Sequence, residues 1–162
     1  MGIEYRLSLA GRRSSAAVAA RAMPELAPGL SSAGSSSAGL SSAGLVGADL
    51  LSVDLYRSHG FCLTIVSRDR GLVDLGPDGW ELGAHTTVSF DMEKNVEFDR
   101  SAQSLRTMLT VVGRVLETGA EDAALVLNGD VVLLTRVAGT LVKYRRADWW
   151  DHYSGLHAVI RG

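Results

Sequence analysis

The stretch AALVLNGDVVLLTRVAGTLVKYRR, residues 123–146, decides the fold. Asn128-Gly129 lies between two β-rich apolar runs. Both central residues of a type I′ turn need φ > 0, which Asn tolerates and Gly takes freely, so the pair predicts a tight hairpin of two turn residues. Ala138-Gly139 supplies a second, weaker turn signal. The reading is a three-strand meander over 123–127, 130–137 and 140–146. Its middle strand is apolar at Val131, Val132, Leu133, Leu134 and Val137, which predicts cover on both faces.

Upstream, the pattern extends the sheet. Ile3, Tyr5, Leu7 and Leu9 alternate with Glu4, Arg6 and Ser8, the period of a strand with one buried face. Ser14 is placed to cap a short alanine-rich helix, 14–23, which Pro24 ends. From Leu50 to Met92 the chain reads as β. Leu51, Val53 and Leu55 alternate, as do Phe61, Leu63 and Ile65, and then Val88, Phe90 and Met92. Polar turns are expected at 67–71 and 76–79. The main helix is expected from Asp99 or Ser101 to residue 118, with Leu105, Met108, Leu109, Val112, Val115 and Leu116 on one stripe. Gly119 is placed to end it as a C′ glycine, and Gly113 implies close packing against a strand. Residues 147–153 suggest one or two further helical turns, with a frayed end after them. The sum is one α+β domain. It is an antiparallel sheet with a C-terminal meander, packed by one long and one short helix on one face.

Residues 29–47 stand apart. Ser-Ser-Ala-Gly recurs at 31–34, 36–39 and 41–44. This reads as a low-complexity insertion or linker within the domain. A phosphate-cradling loop would need a strand before it and a Lys-Ser/Thr or a helix after it, and the sequence supplies neither.

Composition sets outer bounds. A length of 162 residues suits one domain with a real core, and 46% hydrophobic with 21% charged residues is ordinary for a globular chain. A net charge of −2 gives no overall drive toward nucleic acid or acidic membrane. Cys62 is the only cysteine, so no internal disulfide can form. No signal peptide, membrane span or myristoylation pattern is legible, and a soluble cytoplasmic protein is expected.

No constellation of residues points to catalysis. His152 and His157 are five apart with Asp148 and Asp151 nearby, whereas helical metal ligands sit three or four apart. Neither His59 nor His85 completes a motif, so no metal or cofactor is expected. Cys62 lies inside an apolar strand, the setting of a buried hydrophobe rather than a nucleophile. Asp91, Glu93, Glu97 and Asp99 read as the solvated entry to the helix. Arg136, Lys143, Arg145 and Arg146, with Tyr144, Trp149 and Trp150, make the last third basic and aromatic. That pattern admits three readings. It could bind single-stranded nucleic acid, form a protein interface, or be a charged edge strand with tryptophans packed on the sheet.

Several segments together resemble a known family. They are Tyr5-Arg6-Leu7-Ser8-Leu9; Asp54-Leu55-Tyr56 with Gly60-Phe61; TVVGRVL at 110–116; DAALVLNGD at 122–130; and Lys143-Tyr144-Arg145-Arg146 with Trp149-Trp150. The chain is similar here to the Sit-type immunity proteins, small bacterial proteins that protect a cell from its siblings' swarm-interference toxins. The resemblance covers most of the chain outside 24–47 and is densest after residue 105. The Ser-Ala-Gly segment departs from the family pattern. The resemblance implies a non-enzymatic protein whose partner is a cognate toxin, and it transfers no catalytic residue. On that reading the expected contact residues are Arg145, Arg146, Trp149, Trp150, His152 and Tyr153, because Trp, Tyr and Arg dominate binding hot spots. Of the two tryptophans, one is expected in the core and one at the surface, since neighbours on a helical turn point about 100° apart. The alternative is a module binding small molecules or nucleic acid through the same third of the chain.

Overall fold

A computed structural model describes residues 2–25, 50–69, 71–73, 80–152 and 155–161. The strand that alternates best in sequence, β1 (Glu4–Ala10), takes the middle of a seven-stranded antiparallel sheet. On one side it pairs with β6 (His85–Met92), which pairs in turn with β3 (Phe61–Arg68) and that with β2 (Leu50–Leu55). On the other side β1 meets the meander: β7 (Ala123–Leu127), β8 (Val131–Val137) and β9 (Thr140–Lys143). A separate hairpin, β4 (Gly71–Val73) with β5 (Trp80–Leu82), interrupts the path from β3 to β6. The expected linker 29–47 and the expected turn 76–79 lie outside the described residues.

The alternation of β1 is used as read. Tyr5, Leu7 and Leu9 face the core, while Ile3 precedes the strand and is exposed. The same face carries Phe61, Leu63, Ile65, Val88, Phe90, Met92, Ala123 and Leu125. Both helices lie in this one cluster. Ser14 Oγ accepts the Ala17 N–H at 3.1 Å and starts α1 (Ser15–Ala22), as its position in sequence implied. A single turn, α2 (Tyr56–His59), joins β2 to β3. The long helix α3 (Phe98–Glu117) begins one residue before the expected start and presents Leu105, Met108, Leu109, Val112, Val115 and Leu116 to the sheet. Burial of such a side chain stabilises by roughly 1.5–3 kcal/mol, so this stripe is a large part of the driving force.

Three details differ from the sequence reading. At Asn128-Gly129 the turn forms with φ of 51° and 85°, but the ladder resumes at Leu127↔Val131, which leaves Asp130 inside the loop. In β8 the register slips between Val126↔Val132 and Leu125↔Leu134. The extra residue is Leu133, and both Leu133 and Leu134 enter the main core. A bulge thus replaces strict alternation, and Val137 is exposed rather than covered. Gly119 is not a left-handed cap: the helix ends at Thr118, whose N–H bonds Arg114 O.

Where a frayed end is expected, the described residues 155–161 pack onto the core. Arg146–Trp150 forms a π-helical turn, with Asp151 N–H donating to Arg146 O at 2.9 Å, and Leu156–Ala158 forms a 3-10 turn. Leu156 and Ile160 are buried in the main cluster. Among the described residues no helix is long and apolar enough to cross a membrane.

Candidate partner-binding surface

The surface at the end of the meander is built from a strand that stops abruptly. After β9, Tyr144 still donates its N–H to Leu133 O at 2.9 Å, and then Arg145 takes a left-handed φ of 53°. That turn of the backbone leads into the π-helical turn, which sets the two tryptophans side by side at a ring separation of 4.8 Å and an angle of 82°. Trp150 points into the core, fully buried, and its indole N–H donates to Leu133 O at 3.1 Å. Trp149 is half-buried. Its ring lies 5.8 Å from that of Tyr5, and its N–H reaches Tyr5 Oη at 3.4 Å.

The expected contact residues therefore divide. Arg145, Arg146 and His152 are exposed, Trp149 is partly so, and Tyr153 lies outside the described residues. Trp150 has no surface to offer in this conformation and acts through packing. The basic residues divide too. Arg136 is buried and donates to Leu116 O at 2.5 Å and to Glu121 O at 2.8 and 3.0 Å, so it caps the end of the long helix. Lys143 donates to His157 O at 2.8 Å and to Ile160 O, and lies 4.8 Å from the Trp150 ring. Burial, and then the Arg146 charge, hold its ammonium below the ordinary lysine value. Arg145 pairs with Asp148 at 3.8 Å, an exposed pair worth little.

Elsewhere several titratable groups make local contacts. The four histidines do not converge. Nδ1 of His85 lies 3.0 Å from Gly83 O, and that of His59 lies 2.6 Å from Ser58 Oγ. Among the described residues no group of three or more His, Cys, Asp or Glu could hold a metal ion. Cys62 is half-buried, with Ser52 Oγ at 3.7 Å. The Tyr56 hydroxyl donates to Asp91 at 3.0 Å; burial, then that bond and the aspartate charge, push it up to about 12. Glu93 pairs with Arg100 at 2.7 Å. Of the exposed apolar residues of the last hairpin, Val142 is not singled out by the sequence reading, Val137 is expected to be covered, and Tyr144 is read only as part of the basic and aromatic segment. Their alternation along 137–144 was the available signal, and the nearby charges obscured it.

No curated protein and no solved structure matches the chain. The SitI3-like family model matches residues 3–154, which includes every strand and both main helices. The chain belongs to the SitI3-like family, an immunity-protein family.

Proposed function

We propose that this chain is a non-enzymatic immunity protein of the cytoplasm that binds a cognate bacterial toxin and neutralises it. The observation that carries this reading is the family match over residues 3–154. The exposed Arg145, Arg146 and His152 and the half-buried Trp149 form the contact surface in this reading. The alternative, a nucleic-acid module, is weakened because Arg136 and Lys143 direct their charges at backbone carbonyls.

The test is co-expression with the product of the gene adjacent to this chain's, the candidate toxin, read as growth. The wild-type chain is expected to protect. The double variant Arg145→Glu, Arg146→Glu is expected to lose protection while keeping its melting temperature, since both side chains are exposed. Trp150→Ala serves as the contrast. It is expected to cost about 3–5 kcal/mol and to lose protection by unfolding. Full protection by a stable arginine double variant would place the contact elsewhere.

A further inference from the structure

The outer edge of β9 carries an inference that rests on the immunity reading and gives it a docking mode. Strand β9 is the last in the sheet order. Its register with β8 is Thr140↔Val137 and Val142↔Thr135, continued by the Tyr144 N–H to Leu133 O. In an antiparallel ladder those residues turn their backbone groups inward, and the residues between them, Leu141 and Lys143, turn theirs outward. Among the described residues no strand lies beyond them.

Proteins commonly guard such an edge with a lysine, a proline or a covering segment. Here the one lysine of the strand does not guard it. Its ammonium is drawn inward to the carbonyls of His157 and Ile160 and to the Trp150 ring. The opposite face of the hairpin instead exposes Val137, Val142 and Tyr144, at 48%, 42% and 44%. Charge sits at the far end, where Arg145 and Arg146 are both exposed at the point where the strand stops. Over residues 143–152, Lys143, Arg145 and Arg146 stand against Asp148 and Asp151, three cations to two carboxylates, so this end keeps a net positive charge.

We propose that the free edge of β9 receives an extended, acidic segment of the partner protein as an eighth strand. The incoming strand would bond the outward N–H and C=O groups of Leu141 and Lys143. Its apolar residues would lie against Val142 and Tyr144, and its carboxylates would meet Arg145 and Arg146. A second copy of this chain fits less well, because its β9 edge carries the same three cations.

Residue-resolved amide exchange tests this, on the free chain and with the purified product of the adjacent gene, the candidate toxin. In the free chain, the amides of Leu141 and Lys143 should exchange fast and those of Val142 and Tyr144 slowly. On complex formation, the first two should slow by about tenfold or more. Val142→Lys, with its melting temperature as control, should weaken binding by about tenfold or more. Toxin binding with no change at Leu141 and Lys143 would overturn the edge proposal and leave the immunity reading standing. Slow, concentration-dependent exchange in the free chain would assign the edge to a second copy instead. Absence of both binding and protection in the wild type would remove the immunity reading, and the edge proposal with it.

Discussion

At the scale of single residues, two glycines depart from the roles expected of them. Gly113 looked like a packing requirement in the helix. A Cβ there would meet Ile160 Cγ1 at 3.7 Å and Val159 O at 3.9 Å, which is ordinary contact with the C-terminal coil and not with a strand. Gly113→Ala is therefore expected to stabilise by about 0.8–1 kcal/mol through helix propensity. Gly119 looked like a conformational cap. A Cβ there would sit 2.2 Å from Arg21 Nη2 and 2.2 Å from Glu121 Oε2, inside an ion pair. Gly119→Ala is expected to destabilise by about 1–3 kcal/mol, the scale of overpacking. Urea unfolding of the two variants checks both signs, and equal effects would remove the distinction. Neither role was legible in sequence, because each depends on a residue far along the chain. Asn128 shows the opposite case. Its φ was readable from the Asn-Gly pair, although its bonds to the Glu4 backbone, at 2.8 and 3.0 Å, were not.

At the scale of elements, the end of the long helix is held at once from a strand, a helix and the loop between β1 and α1. Arg136 on β8 bonds the carbonyls of Leu116 and Glu121. Arg21 on α1 bonds Val115 O at 2.6 Å, Thr118 Oγ1 at 3.1 Å and the Glu121 carboxylate at 2.5 Å, and Arg13 stands 3.8 Å from the same carboxylate. These cations meet the negative end of the helix dipole as well as its unpaired carbonyls. Burial alone would raise the Glu121 carboxyl. Its backbone hydrogen bond and the two arginines outweigh this and hold it below the ordinary value of 4.5. A depressed carboxyl contributes stability that is fully present above 4.5 and is lost as pH falls through the lower folded value. Denaturant unfolding between pH 7 and 3 should therefore show a decline below about pH 4.5 that is shallower in Glu121→Gln. That variant should also cost roughly 2–3 kcal/mol at pH 7, since it leaves Arg21 with a weaker partner. A wild-type profile no steeper than that of the variant would sink this account. From the sequence, Arg136 was only one cation among four in a basic segment; its burial decides that it is a clamp.

At the scale of the whole molecule, the chain closes around one core whose last pieces come from its end. Trp150, Leu156 and Ile160 complete the cluster that Tyr5, Leu7 and Leu9 begin. The segment 29–47 is proposed as an insertion within that single domain. Its deletion is expected to leave the thermal midpoint nearly unchanged, because a solvated linker contributes few buried contacts. A loss above about 2 kcal/mol on calorimetry would show instead that it is structural. The sequence by itself determined the elements. The alternation of β1, the apolar stripe of the long helix, the Ser14 cap and the two positive-φ turns are local, and local sterics and periodicity write them directly into residue order. The same segments carried enough pattern to indicate the family. Only the tertiary structure decided which faces are buried and which edge is open. The inward turn of Lys143, the burial of Trp150 and the space reserved at Gly119 each depend on a partner more than ten residues away, and the Leu133 bulge depends on the facing strand β7. Such contacts form only once the chain has folded back on itself, so residue order alone does not reveal them.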